Sequence, residues 1–197
     1  ACMSASLKRV AMSGSVYFAA NLMTKSVTFL LLPLYTRYLT TQDYGINSLA
    51  QAFVQLLITL TQLGLLEAAN RLYFRYYRDA ERLKSHLTTI LITLLVSAGL
   101  TSLVMTVLRT PLAELVFNQP GLETYLLIAI WVPPLAQIIE LTQIVLIASE
   151  RPVLFAILSS GRLLLTAAIS IVLVVGWRLG AWGTLNAQLI ATSVIAL

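Results

Sequence analysis

Polar residues recur on one side of several long apolar stretches of this chain. In one stretch, Asn47, Gln51, Gln55, Thr59 and Gln62 follow each other at steps of four, four, four and three. A helix of about 3.6 residues per turn aligns all five. The residues between them are nearly all Leu, Ile, Val, Ala and Phe. Six such stretches, near 12–35, 45–67, 87–108, 124–148, 153–176 and 180–197, approach or exceed the roughly 20 residues that cross a bilayer. The pattern predicts an all-α membrane protein, a bundle of six transmembrane helices, most of them wet on one face.

Composition agrees. Of 197 residues, 58% are hydrophobic and 11% charged, against roughly 25% charged in soluble domains. The net charge of +5 would suggest nucleic acid in a soluble protein; here a bias toward cytoplasmic loops explains it, and no nucleic-acid partner is expected. The N-terminus and the loops after spans two and four carry Lys8, Arg9, Arg71, Arg75, Arg78, Arg82, Lys84 and Arg151, whereas the other loops carry Arg37, Arg109 and Arg178. Eight against three predicts a cytoplasmic N-terminus. The segment from Arg71 to His86 then reads as a basic, amphipathic connection at the headgroup level, in contact with membrane lipids. The single cysteine, Cys2, excludes an internal disulfide. The last span stops at Leu197 without a flanking charge, as expected of a chain that continues.

Three ionisable residues fall inside the predicted spans: Lys25, Glu140 and Arg162. Each costs about 2.5–3.5 kcal/mol at a helix centre, so each should face water or a partner. Their neighbours form stripes of the same kind: Gly14, Tyr17, Asn21, Lys25 and Thr28; Pro133, Gln137 and Glu140; Ser159, Arg162, Thr166 and Ser170. Four polar faces predict a shared hydrophilic cavity with Lys25, Arg162, Asn21, Gln51, Gln55, Gln137 and Glu140 on its walls. Gln, Ser and Thr also serve as interhelical contacts worth about 0.6–2 kcal/mol, and an ion pair of Glu140 with Lys25 or Arg162 is the plainer alternative. Glu67 and Arg71 stand four apart in the order that favours an intrahelical pair. Pro133 and Pro134 remove two backbone donors in mid-span and should bend or break that helix, as a hinge would. His86 has no second His, Cys or paired carboxylate near it. No metal site, cofactor or catalytic constellation is visible, and the chain does not read as an enzyme.

The run Leu32-Pro33-Leu34-Tyr35-Thr36-Arg37-Tyr38-Leu39-Thr40-Thr41-Gln42-Asp43-Tyr44-Gly45 resembles the end of the first helix and the first external loop of polysaccharide flippases, in the multidrug/oligosaccharidyl-lipid/polysaccharide exporter superfamily. Leu63-Gly64-Leu65 with Arg71, Ala148-Ser149-Glu150-Arg151-Pro152 and Gly180-Ala181-Trp182-Gly183 resemble later parts of the same pattern, in order. The resemblance implies a carrier of undecaprenyl-pyrophosphate-linked oligosaccharide in the bacterial inner membrane, serving surface polysaccharide or lipopolysaccharide synthesis. Residues 1–197 would be its N-terminal lobe, one of two around a central cavity, with the second lobe missing. It implies lipid-linked oligosaccharide and other polysaccharide-assembly membrane proteins as partners, and H+ or Na+ as the coupling ion. Lys25 and Arg162 would hold pyrophosphate or acidic sugars, with Arg71 and Arg75 at the cytoplasmic mouth of the cavity. Two alternatives stay open: a cation-coupled multidrug exporter, with Glu140 as its acidic residue, and a membrane-embedded glycan-processing enzyme.

Overall fold

The computed structural model describes residues 35–119 and 121–197, together with positions 15, 18, 22, 23, 25–27, 29, 32 and 33. The described positions between 15 and 38 are helical; most of the first expected span lies outside the described residues. After it come α1 (Thr41–Gln62), α2 (Leu65–Tyr76), α3 (Ala80–Val107), α4 (Arg109–Phe117), α5 (Glu123–Ala148), α6 (Pro152–Ile171) and α7 (Gly180–Ala196). The described residues are helices and short turns, with no strand among them.

Local signals set the boundaries. α1 opens on a capping box: the Thr40 hydroxyl accepts from the Asp43 N–H, and the Asp43 carboxylate accepts from the Thr40 N–H. It closes where Leu63 and Gly64 both take left-handed backbone angles, at φ 47° and 73°. Glycine adopts that conformation freely, and α2 leaves at 49° to α1. The stretch read as one span over 45–67 is therefore broken, and its basic continuation is helix rather than loop. Asp79 caps α3, accepting from the Arg82 N–H at 3.2 Å. The expected loop after α3 holds the short helix α4, ended by Asn118 at φ 51°, a residue type that tolerates this region. Pro152 sits in the first turn of α6, where its missing N–H costs nothing. α6 then widens into a π-helical turn over Val172–Gly176.

α3, α5 and α6 with its π turn are long and apolar enough to cross a membrane, and α1 with α2 makes a fourth crossing if the bent pair counts as one. The sixth expected span, α7, has 17 residues, at the short end of the range that crosses. Among the described residues α5 is the central helix, touching each of α1, α2, α3, α4, α6 and α7. Leu126, Ala129, Ile130, Val132, Ala136 and Ile139 bury it. On the outside, Ile92, Val96, Leu100, Leu103 and Val107 of α3 are exposed, an apolar stripe that suits lipid and would be a liability in water.

Pro133 and Pro134 do not break α5, which runs without interruption from Glu123 to Ala148. In a helix the N–H of residue 134 would bond the carbonyl of Ile130, and proline cannot supply it. The buried hydroxyl of Ser102, on α3, donates to that oxygen at 2.7 Å. A neighbouring helix thus supplies the donor that the proline lacks, which keeps the helix intact in a place without water.

Candidate functional site

Three polar contacts at successive turns join α1 to α7. The Asp43 carboxylate accepts the Ala181 N–H at 3.2 Å. The Asn47 side-chain carbonyl accepts the Thr184 hydroxyl at 3.0 Å. The Gln51 amide donates to the Gln188 side-chain oxygen. The steps of four along α1 are what make this possible, because each places the next polar group one turn further along the same face.

Beside this seam lies a cavity of about 650 Å³. α1 contributes Tyr44, Asn47, Ser48 and Gln51 to its wall, and α7 contributes Thr184 and Gln188. α6 adds Ser159, Arg162 and Thr166, α5 adds Gln143, and Tyr35 closes one side. Tyr35 is held by a hydrogen bond of 2.9 Å between its hydroxyl and that of Ser170. Arg162 is the one charged residue among the described lining. It is half-buried, and among the described residues its guanidinium makes no hydrogen bond and no ion pair within 4 Å. Glu140 acts on it only through space. The ion pair formed among the described residues is Arg82 with Asp79, at 3.1 Å.

A guanidinium offers five N–H donors in a planar fork matched to phosphate or carboxylate oxygens. The surrounding amides and hydroxyls both donate and accept, as sugar hydroxyls require. Leu32, Phe155, Leu163 and Ala167 complete the lining, so one cation, several hydrogen-bonding groups and apolar surface meet in the same cavity, a combination that suits an amphiphile with an anionic, hydroxyl-rich head.

Of the residues predicted from sequence, Gln51 and Arg162 line this cavity, and Asn47, Ser159 and Thr166 from the same stripes join them. Gln137 does not. It is fully buried, donates to the Thr61 hydroxyl at 2.8 Å and leaves its own carbonyl oxygen without a partner; it ties α5 to α1. Glu140 accepts from the Gln62 amide and is not among the lining residues; the alternative ion pair with Arg162 does not form. Gln55, one turn past Gln51, is exposed and not part of the wall. Arg71 is exposed on α2 and makes no ion pair with Glu67. Lys25 is exposed and helical, outside the lining, and Asn21 lies outside the described residues. Pro133 is buried in the bundle and Pro134 is half-buried. His86 is half-buried, its ring 5.0 Å from that of Tyr76. Among the described residues no group of three or more His, Cys, Asp and Glu could hold a metal ion.

Sequence reasoning missed Gln143, Gln188, Tyr35 and Tyr44. Thr184, Gln188 and Thr192 stand at steps of four, the same signal as in α1, and would have marked the facing wall. Gln143 follows Glu140 by three and extends that stripe.

Apolar helices packed around a central one, with polar groups gathered on one cavity, define a multi-pass membrane protein. The profile of the family described as "Polysaccharide biosynthesis protein" matches residues 10–197, and the chain belongs to that family. Neither the curated proteins nor the solved structures yield a match.

Proposed function

We propose that this chain is one lobe of a flippase of the multidrug/oligosaccharidyl-lipid/polysaccharide exporter superfamily. It carries undecaprenyl-pyrophosphate-linked oligosaccharide across the bacterial inner membrane for surface polysaccharide or lipopolysaccharide synthesis. The observation that supports this best is Arg162: a half-buried cation without a hydrogen-bonding partner among the described residues, on the wall of a cavity otherwise lined by uncharged polar and apolar side chains, in a chain of a polysaccharide family. A charge in a membrane helix marks a functional site by default, and a bidentate acceptor such as pyrophosphate fits its fork.

On this reading the protein is a carrier, not an enzyme, with its N-terminus in the cytoplasm and two lobes that rock about a shared site. Transport on this reading is coupled to H+ or Na+. The test is Arg162→Ala and Arg162→Lys in the full-length protein, with surface polysaccharide as readout. The alanine variant loses assembly and the lysine variant keeps part of it. Normal surface polysaccharide in the alanine variant overturns the proposal.

A further inference from the structure

A second concavity of about 330 Å³, sharing no lining residue with the first, lies where the first turns of α3 meet Leu141 of α5. Ala80, Leu83, Lys84, Leu87, Thr88 and Leu91 face it from α3. They stand at steps of three, one, three, one and three, a single helical face. Its floor is continuous with a packed apolar cluster built on Leu66 and Ala69 of α2, Ile90 and Leu94 of α3, and Leu141.

Depth and charge say what fits it. α3 has 28 residues, about 42 Å at 1.5 Å per residue, longer than the roughly 30 Å hydrocarbon core. Its first turns therefore reach headgroup level, and the leucines down to Leu91 descend about 10 Å from Lys84. Of the nearby cations, Arg82 pairs with Asp79 at 3.1 Å, and Arg75 and Arg78 lie over tyrosine rings at 5.6 and 5.4 Å. Lys84 is exposed and has no partner among the described residues. An apolar trough that starts at the interface with a free ammonium at its wet end complements an amphiphile with a negative headgroup.

We propose that this groove binds one anionic phospholipid, its acyl chain on Leu83, Leu87, Leu91 and Leu141 and its phosphate on Lys84. The site stands apart from the polar cavity and does not depend on what that cavity carries. The experiment is native mass spectrometry of the full-length protein released from vesicles of phosphatidylcholine with phosphatidylglycerol. The wild type retains phosphatidylglycerol in preference to phosphatidylcholine. Lys84→Ala lowers that preference about fivefold, the worth of one cation at an anionic surface. Thr88→Trp, at an exposed position that fills the trough, removes the retained lipid of either kind. Equal retention of the two lipids by the wild type overturns the proposal, as does a preference that neither substitution changes. Both positions are on the surface, so folding is preserved in each variant.

Discussion

The carboxylate of Asp43 occupies the space that a side chain at Gly180 would need. A Cβ there would lie 2.7 Å from one oxygen of Asp43, and Gly180 holds φ at 56°, where other residues are strained. The absence of a side chain lets that oxygen reach the Ala181 N–H at the start of α7, while the other oxygen accepts from the Thr40 hydroxyl at 2.7 Å. One carboxylate thus serves the N-termini of two helices, where backbone N–H groups lack partners and negative charge is favoured.

Gly180→Ala should therefore destabilise the protein by about 1–3 kcal/mol through backbone strain alone, with displacement of Asp43 in addition. Asp43→Ala should cost about 0.5–2 kcal/mol for the lost cap on α1 and loosen α7. Thermal unfolding in detergent measures both. An unchanged midpoint for Gly180→Ala would mean that the Asp43 contact does not hold α7 in place.

Ser102 and Pro134 should be coupled. Ser102→Ala removes the donor to the Ile130 carbonyl at almost no change of volume, and should cost about 0.6–2 kcal/mol, the range for hydrogen bonds between membrane helices. In a Pro134→Ala background residue 134 regains its N–H and can bond Ile130 itself, so the same substitution should cost much less. A double-mutant cycle on unfolding free energies isolates the difference. Simple additivity would show that the serine is not compensating for the proline.

These two relationships show what could be read from the sequence and what could not. The polar steps of α1 were visible because α1 packs with one face wet, and Asn47 and Gln51 bond α7 as a stripe should. The runs around Asp43-Tyr44-Gly45 and Gly180-Ala181-Trp182-Gly183 were visible as separate pieces of a family resemblance. Only the fold shows that they touch. α5 misled because helices surround it: a polar residue there can face a cavity, as Gln143 does, or a dry contact, as Gln137 does, and periodicity cannot separate the two. Hydrophobicity also runs on through Leu63 and Gly64, so the 49° break rests on backbone angles that composition does not encode. The π turn at Val172–Gly176 shifts the register of α6 without any marker in residue type.

The wall of the cavity should discriminate ligands by hydrogen bonding. Gln51 and Gln188 bond each other across it, so replacing Gln188 by Leu leaves the Gln51 amide without its partner and removes an acceptor that a sugar hydroxyl could use. Sites built to hydrogen-bond a hydroxyl lose about 1–3 kcal/mol when one buried group is left unpaired, about five- to 150-fold in affinity. Gln188→Leu should weaken oligosaccharide binding by about that factor while leaving thermal stability within about 1–2 kcal/mol of wild type. Isothermal titration of the purified full-length protein with a soluble oligosaccharide diphosphate measures the first. An unchanged affinity would remove the α1–α7 seam from the binding surface.

Glu140 should restrain Arg162. The carboxylate is fixed by the Gln62 amide and acts on the guanidinium through space, so it competes with any anion that Arg162 binds. Glu140→Gln keeps the size of the side chain and removes the charge. Without that competition a diphosphate should bind more tightly, by a factor of ten for about each 1.4 kcal/mol of attraction freed. A carrier must also let go, so surface polysaccharide assembly should fall even as binding improves. Titration of the purified full-length protein with inorganic pyrophosphate follows the first effect, and polysaccharide on the cell surface follows the second. Were binding to weaken in Glu140→Gln instead, Glu140 would be supporting the anion site rather than opposing it, for example by orienting Arg162 toward the cavity, and Arg162→Lys should then lose more activity than a simple change of cation explains.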